Sequence, residues 1–244
     1  MKTIEQKVNN EMTNPTQTLK ISKATIDILK NFSTINSSIH VPGGNTLYTI
    51  SATSNIVAET KIAEEFPSKF SIYDMSQFLG SLSMFQEPEF EFEEKCVWIY
   101  DQNGSKIKFF FCEEKLLPQM KHHGKKPAKA NTVIKFDISG KQLSDLFRIS
   151  SVLNVTDINI NFTGEKLELV VKDKQNTSSN SYTIDIKNYT EVDVPKGFSP
   201  HMNVNNLKVV PGDYAVEIGE NNVAIFKNKN IDLTYWIALE INTN

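Results

Sequence analysis

Short runs in which apolar and polar residues alternate occupy most of the chain from Leu19 onward. A period of two is typical of strands that bury one face and leave the other in water. The clearest runs are TLYTIS at Tyr48, CVWIY before Asp101, KIKFFF ending at Phe111, DININF ending at Phe162 and KLELVV ending at Val171. Turn residues separate the runs at Pro42-Gly43-Gly44, Asn103-Gly104, Thr163-Gly164 and Pro211-Gly212. The pattern predicts a protein built mainly of short strands.

Two segments with helical spacing resemble each other along the chain. Residues 22–32 have Ser22 as the predicted N-cap, and residues 138–154 have Ser139 in the same role. Apolar residues three and four positions apart give each segment one buried face. After a shift of 118 positions the polar faces also coincide: Lys23 meets Lys141, Asp27 meets Asp145 and Lys30 meets Arg148.

Two further segments show weaker helical spacing. Residues 73–85 place large apolar side chains on one face, and the opposite face carries no charge, so it could lie close to a large partner. Residues 201–210 are also predicted to be helical, but the segment is short and only marginally able to form a helix.

The repeated helix predicts a duplicated domain, in which each copy runs helix, strands, helix, strands. We expect a flexible tail at residues 1–18, a first domain at residues 19–130 and a second domain at residues 131–244. The boundary falls at the Lys-rich segment 121–131, which contains Gly and Pro. Any two amphipathic helices share apolar spacing, so chance is the alternative, but the matching charges favour duplication. A single core shared by both halves would count against it.

Composition limits how the chain could bind nucleic acid. Its 244 residues carry a formal net charge of −3, whereas domains that hold nucleic acid by bulk electrostatics usually have a strong basic excess. Any such contact must come from locally placed Lys and Arg. No run of about 20 apolar residues and no secretory signal is found, which favours a cytosolic protein without membrane contact. Cys96 and Cys112 lie in apolar runs and are expected to be buried thiols.

Motifs for catalysis, nucleotide binding or metal binding were not found. Glu89, Glu91 and Glu93 alternate along one strand, where acid/base work is conceivable but a solvated sheet face is more common. The adjacent His122 and His123 point to opposite sides of an extended segment and so form a poor chelate. The sequence therefore predicts no catalytic residues, no metal and no cofactor.

Four segments resemble the DNA polymerase sliding clamp, or processivity factor, of T-even-type bacteriophages. They are LKISKATIDILKNFSTINSSI at residues 19–39, SIYDMSQFLGSLSMF at residues 71–85, VVPGDYAVEI at residues 209–218 and the closing strand TYWIALEI. The resemblance runs in colinear order from Leu19 to the C-terminus. Residues 90–135 are similar in pattern only, and the segment before Leu19 is additional to the family.

The resemblance implies an α+β protein of two similar domains with the sliding-clamp fold. Three subunits would join head to tail, so that helices line a central hole and antiparallel sheets form the outside. Such a homotrimer encircles double-stranded DNA without reading its sequence and tethers a DNA polymerase. An ATP-dependent clamp loader opens it, and the implied location is the cytoplasm of an infected bacterial host cell. Enclosure would explain how an acidic chain retains DNA by weak phosphate contacts.

The resemblance also implies two sets of site residues. The residues predicted to face DNA are Lys20, Lys23, Lys30, Lys141, Arg148 and Lys208. The residues predicted to form an apolar pocket for partner peptides are Leu116, Leu117, Pro118, Met120, Tyr235 and Ile237. Two rival functions remain open from the sequence: a β-rich viral structural or binding protein, such as a tail or baseplate component, and a hydrolase that acts through the glutamates at 89–94.

Overall fold

The computed structural model describes residues 17–176, 178–191, 194 and 198–240. The described residues form three α-helices, α1 (Lys23–Ile35), α2 (Met75–Leu82) and α3 (Gly140–Leu153). The strands of the first half are β1 (Gln17–Lys20), β2 (Ile39–Val41), β3 (Gly44–Ile50), β4 (Ile56–Phe66), β5 (Phe70–Ile72), β6 (Glu89–Phe92), β7 (Cys96–Tyr100) and β8 (Lys106–Phe110). Those of the second half are β9 (Thr132–Ile138), β10 (Asp157–Phe162), β11 (Leu167–Lys172), β12 (Tyr182–Ile186), β13 (Tyr189–Glu191), β14 (His201–Asn203), β15 (Tyr214–Gly219), β16 (Val223–Asn228) and β17 (Leu233–Ala238).

Helices α1 and α3 begin where the sequence predicts. The Ser22 side chain accepts a hydrogen bond from the Thr25 amide, and the Ser139 side chain accepts one from the Gln142 amide. In return the Gln142 side chain accepts a hydrogen bond from the Ser139 amide, which completes a capping box. Both caps satisfy helix amides that would otherwise lack a partner, so both N-cap predictions are confirmed.

The buried faces of the two helices follow the predicted repeat. At a spacing of 118 positions the buried Thr25, Ile28 and Phe32 of α1 correspond to the buried Leu143, Leu146 and Ser150 of α3. Helix α1 begins at Lys23, whereas α3 begins at Gly140, one residue before Lys141, which is the counterpart of Lys23. The repeat therefore includes the core-facing positions as well as the charged stripe.

Strand pairing repeats in the two halves. In the first half the strands are ordered β1-β6-β7-β8, and in the second half the order β9-β15-β16-β17 has the same connections. In the same way β2 pairs with β5, and β10 pairs with β14. All of these pairs are antiparallel. The shared topology supports duplication independently of the helix sequences, and the division at residues 130 and 131 stays a prediction.

A seven-stranded sheet joins the two halves through an antiparallel pair of β17 with β4. Tyr235 lies opposite Ala58, and Ile237 lies opposite Ile56. Because these side chains are buried, the apolar residues of both halves form one continuous cluster rather than two. This differs from the expectation of separate cores, and the physical reason is the shared sheet. The duplication therefore rests on the repeated topology, not on separation of the cores.

Two of the strands at open sheet edges are related by the repeat to the strands that join the two halves. By position in the topology, β8 is the counterpart of β17, and β12 is the counterpart of β4. Strand β17 pairs with β4, whereas β8 and β12 each form the outer edge of a four-stranded sheet. An unpaired strand edge presents backbone donors and acceptors that another strand can bind.

Two predictions are corrected by the structure. Residues 201–210 do not form the predicted helix, because β14 occupies their start and only a 3-10 turn, Val204–Asn206, follows. The predicted tail at residues 1–18 is two residues too long, since Gln17 and Thr18 belong to β1 and lie opposite Phe92 and Glu91. Residues 1–16 of that tail lie outside the described part of the chain.

The two faces of the seven-stranded sheet are covered differently. Helix α1 packs on the face that contains Tyr235. The opposite face carries Trp236 and the segment 111–131, here called the connector, which links β8 to β9. Within the described residues no helix is both long and apolar enough to cross a membrane.

Candidate functional site

The cations predicted on the first helix lie along one groove. Lys23 and Lys30 are exposed on α1, and Lys20 is the last residue of β1. All three line a groove of about 600 Å³ between α1 and α2. The sequence-predicted residues of the first half are thus brought together, and the uncharged α2 forms the other wall.

These three lysines differ in how firmly they are paired. The Lys20 ammonium is 2.9 Å from the Glu89 carboxylate, which raises the pKa of Lys20 by a hydrogen bond and by charge. The Lys30 ammonium is 3.5 Å from Asp27, and both side chains are mostly exposed. Lys23 forms no ion pair with any residue in the described part of the chain. Solvated pairs of this kind exchange easily, so Lys23 and Lys30 are available to an anion.

On α3 a single carboxylate lies between the two predicted cations. The Lys141 ammonium is 2.6 Å from Asp145, and the Arg148 guanidinium is 3.0 Å from the other Asp145 oxygen. The hydrogen bond from Lys141 lowers the pKa of Asp145, and the charges of Lys141 and Arg148 add to the effect. The three charges leave α3 with one net positive charge at its surface, the same as α1.

Lys208 lies beside α1 rather than beside α3. Its ammonium donates to the Thr34 carbonyl near the end of α1, and its own carbonyl accepts a 3.0 Å hydrogen bond from the Asn31 amide group. A cation close to the last carbonyls of a helix is favourable. The segment after β14 therefore binds the first half of the chain, and four of the six predicted cations surround α1.

Carboxylates already occupy the N-terminal ends of both helices. Glu64 accepts hydrogen bonds from the Ser22 amide and, at 2.6 Å, from the Thr25 hydroxyl. Asp213 accepts a 2.8 Å hydrogen bond from the Gly140 amide at the start of α3. A helix N-terminus is otherwise a ready site for phosphate. An anion that approached these helices would therefore meet flexible side chains, whose contacts with phosphate are weak and independent of sequence.

The six residues predicted to form the partner pocket do not share one accessible surface. Leu116 is exposed, and Pro118 and Met120 lie in a 3-10 turn of the connector. Tyr235 and Ile237 are fully buried on the helix-facing side of the sheet. This corrects the prediction for these two residues, because a partner cannot reach them while the core is intact. Leu117 is also buried.

Instead, an apolar cluster lies on the outer face of the sheet, beneath the connector. We call it the outer cluster; its members are Tyr48, Ile50, Val57 and Trp236. The Tyr48 hydroxyl lies 2.7 Å from the Lys125 carbonyl and 3.1 Å from that of His122, and burial raises the pKa of Tyr48 to about 12. The Lys126 ammonium is 5.4 Å from the centre of the Trp236 ring.

The acidic strand β6 and its neighbours have local structural partners. Glu89 pairs with Lys20. Glu93 accepts hydrogen bonds from the Cys96 thiol at 2.9 Å and the Trp98 indole at 2.8 Å, and Lys108 lies 3.3 Å away. These contacts lower the pKa of Glu93, with the thiol contact having the largest effect. A carboxylate with a low pKa that is held by its own sheet is a poor general acid.

Comparison with known families gives two matches in chain order. Residues 20–94 match the family described as DNA polymerase processivity factor. Residues 135–241 match the family described as gp45 sliding clamp, C terminal. Between them the two matches span most of the chain and fall on either side of the connector.

Similar proteins and structures agree with these matches. The chain is 27% identical over 222 residues to the sliding clamp of Vibrio phage KVP40, covering 91% of this chain and 99% of that protein. It is 27% identical over 230 residues to the sliding clamp of Enterobacteria phage T4, covering 91% and 97%.

Solved clamp structures show the same fold. Proliferating cellular nuclear antigen from Entamoeba histolytica superposes with a TM-score of 0.70 at 9% identity, covering 92% of this chain and 98% of that one. The Helicobacter pylori beta clamp bound to a DNA ligase peptide superposes with a TM-score of 0.61 at 14% identity, covering 93% and 67%. The predicted fold class is therefore confirmed. The two family matches, which together span most of the chain, show that it belongs to the sliding-clamp family of DNA polymerase processivity factors.

Proposed function

We propose that three copies of this chain close into a ring that encircles duplex DNA and tethers a DNA polymerase, without catalysing a reaction. The observation that carries the proposal is the pair of open edges, β8 and β12. Within the chain their counterparts β17 and β4 already pair with each other. If β8 of one copy pairs with β12 of the next, every copy acquires the same junction on both sides.

The side chains of the two edges are complementary. On β8 the charged residues Lys106 and Lys108 alternate with Ile107 and Phe109, which are only half-buried. On β12 the exposed Asp185 alternates with Tyr182 and Ile184, which are also half-buried. An antiparallel β8–β12 pair would place basic against acidic side chains on one face.

The same pair would bury apolar side chains on the other face. Two β8 edges, in contrast, would bring like charges together. Head-to-tail assembly is therefore favoured over a symmetric dimer.

Two exposed apolar residues extend this complementarity to the helices. In the repeat, Val152 on α3 corresponds to Thr34 on α1. Thr34 accepts a hydrogen bond from Lys208 across the internal junction. Val152 is 71% exposed, and Met84, just after α2, is 76% exposed. At a β8–β12 junction α3 of one copy would approach α2 of the next, so these two residues would cover each other. Single exposed apolar side chains are common on protein surfaces. Two that would face each other across the same junction, such as Val152 and Met84, favour an interface.

The ring resolves the conflict between an acidic chain and DNA binding. Each copy contributes Lys23, Lys30, Lys141 and Arg148, with Lys20 and Lys208 beside α1. Repeated around a closed ring these cations line the hole, where they offer phosphate contacts without base contacts. Enclosure then retains the duplex, and weak contacts allow sliding.

For partners we propose docking at the outer cluster and the exposed part of the connector. The solved beta clamp of Helicobacter pylori carries a DNA ligase peptide. In this chain the connector carries the exposed Leu116 and the half-buried Met120, and its residues 122–126 contact the outer cluster. A DNA polymerase would bind there through a short apolar peptide. Ring opening would require a separate ATP-dependent clamp loader, because no nucleotide-binding motif was found in the chain. The site of action would be the cytoplasm of an infected bacterial cell.

The test is retention on circular DNA. The double variant Lys30→Glu and Arg148→Glu removes phosphate contacts from both helices, so we expect faster loss from nicked circular DNA and normal assembly by size-exclusion chromatography. The matched control is Lys61→Glu, an exposed lysine on β4. Unchanged retention of the double variant would remove the two helices from the DNA-facing surface. A protein that assembles into large particles and does not stimulate a polymerase would instead favour the virion-component alternative.

A further inference from the structure

Two histidines that are distant in sequence meet where the connector crosses the first half of the chain. His40 lies on β2 and His123 on the connector, and their ring centres are 4.9 Å apart at an interplanar angle of 86°. The His123 Nε2 atom is 3.3 Å from the His40 carbonyl, so it donates when that nitrogen carries the proton. The Nδ1 atom of His40 is 2.9 Å from the Ser71 hydroxyl. Sequence spacing gave no sign of this pair.

Around this pair the connector is fastened mostly by neutral contacts. The Gln119 amide group donates to the Ser38 hydroxyl at 2.7 Å, and the Tyr48 hydroxyl bonds to connector carbonyls. The His123 ring also packs edge-on against Tyr48 at 4.9 Å. Two ion pairs also hold the connector: Lys126 lies 2.6 Å from Glu59 on β4, and Glu114 lies 2.9 Å from Lys69. Net attraction from a few neutral hydrogen bonds is modest, so this segment is held weakly.

The surroundings disfavour a positive charge on both histidine rings. Burial lowers the pKa of His40, and the His123 ring lowers it further. Burial also lowers the pKa of His123, although the hydrogen bond that this ring donates to the His40 carbonyl raises it. The charged groups that face the pair are Glu114 and, for His40, Lys69, and these two are themselves paired at 2.9 Å. Glu114 favours protonation of both rings but does not outweigh burial.

We propose that connector residues 118–126 form a strap which protonation of His40 and His123 releases, uncovering the outer cluster. In the closed state the strap lies over Tyr48 and Trp236. In the released state both rings enter water, where a charge costs little, and the sheet face becomes open to an apolar ligand. The inference concerns the strap alone and holds whether or not the chain encircles DNA.

The direction of the pH effect follows from the lowered pKa values. The released rings return to an ordinary histidine pKa of about 6.5. The closed state binds protons less readily, so its stability is complete above that value and falls as the pH drops through it. Two charged rings 4.9 Å apart also repel each other. Even with the screening of bulk water, that repulsion corresponds to about a fourfold change in an equilibrium constant.

Hydrogen exchange of the full chain measures strap opening directly. Exchange of peptides covering residues 118–126 should be compared between about pH 8 and pH 5, after correction for intrinsic exchange rates. We expect the corrected opening constant to rise about fourfold or more at the acidic end. Strands β15 to β17 should remain protected, which shows that the chain has not unfolded.

A matched pair of variants assigns the effect. His123→Gln keeps a hydrogen-bond donor but cannot titrate, so it should remove most of the pH dependence. His122→Gln changes the exposed neighbouring histidine and should behave like the unaltered chain. In a Trp98→Phe background, acid should also make Trp236 fluorescence more accessible to a neutral quencher. A strap whose opening is independent of pH, or an acid response that persists in His123→Gln, would overturn the proposal.

Discussion

Strands β17 and β4 pair with each other within the chain, whereas their counterparts in the repeat, β8 and β12, lie at open sheet edges. At the internal junction Tyr235 and Ile237 are completely buried, whereas their counterparts on β8, Ile107 and Phe109, are half-buried. The outer face differs too. It is aromatic and covered by the connector at the internal junction, and charged at the open edges. The internal junction thus carries the apolar Val57 and Trp236 on its outer face, whereas the proposed junction between copies would carry charged side chains there.

A buried polar network adds to the internal junction. The Tyr235 hydroxyl donates to Asn31 on α1 at 2.8 Å and accepts a 3.2 Å hydrogen bond from the Val210 amide. The positions that correspond to Asn31 and Thr34 on α3 are Ile149 and Val152, which have no side-chain hydrogen-bonding group. The internal junction is therefore fixed in register by hydrogen bonds, while the proposed junction between copies depends on apolar contact and charge.

The largest expected effect is on the free energy of unfolding, and it should differ between the two junctions because their side chains are buried to different extents. Ile237→Ala removes a fully buried side chain and should lower the free energy of unfolding by about 2–5 kcal/mol. The matched variant Phe109→Ala lies on the half-buried edge, so it should cost a single chain less and weaken assembly more. Chemical denaturation and sedimentation of both variants test this. Equal loss of assembly in the two variants would contradict the assignment of β8 to the contact between copies.

Next in size is the polar network of the internal junction. Tyr235→Phe keeps the ring but leaves Asn31 and the Val210 amide without their partner, which should cost about 1–3 kcal/mol. Urea denaturation should show the loss at every protein concentration, because the network lies within one chain. A loss that disappears when the copies assemble would place the network at the wrong junction.

A smaller effect is expected from charge at the open edges. Lys106→Glu should raise the dissociation constant of the assembly by roughly twofold to fivefold, since exposed pairs contribute about 0.2–1 kcal/mol. Asp185→Lys alone should act in the same direction. Combining the two changes restores opposite charges and should restore assembly, as measured by sedimentation at low ionic strength. Failure of the double variant to recover would argue against β8 meeting β12.

The smallest expected effect is on the rate of movement along DNA, and it comes from the charged residues of α3. Asp145→Asn frees Lys141 and Arg148 from their shared carboxylate, so movement along DNA should become slower and more sensitive to salt. For each additional phosphate neutralised, the salt slope should steepen by about 0.9. Single-particle tracking at several salt concentrations tests this. Faster movement in the variant would show that Asp145 does not restrain the two cations.

The comparison also shows what the sequence could predict. Helices α1 and α3, their serine caps and their charged stripes follow from local spacing and capping chemistry, which depend on neighbouring residues only. The strand LTYWIA is different, because both of its faces are apolar. The sequence predicts an accessible pocket at Tyr235 and Ile237, but these two residues are buried, and Trp236 between them lies on the outer face. Only the pairing with β4 and the position of the connector decide between the faces.

Long-range pairing likewise explains the other differences. Residues 201–210 have apolar spacing compatible with a helix, but the first three of them form β14 because they pair with β10. The contact between His40 and His123, and the binding of Lys208 to α1, join residues far apart in sequence. No local pattern encodes such contacts, and without them neither the connector strap nor the cation cluster around α1 could be placed.

Direct imaging of the purified protein tests the central claim that β8 and β12 close a ring. Electron micrographs and the solution mass should show a hollow particle with six lobes, made of three chains. In the Phe109→Ala variant the same measurement should show mainly single chains with an intact fold. A solid particle, or a population of single chains at micromolar concentration in the unaltered protein, would contradict the account.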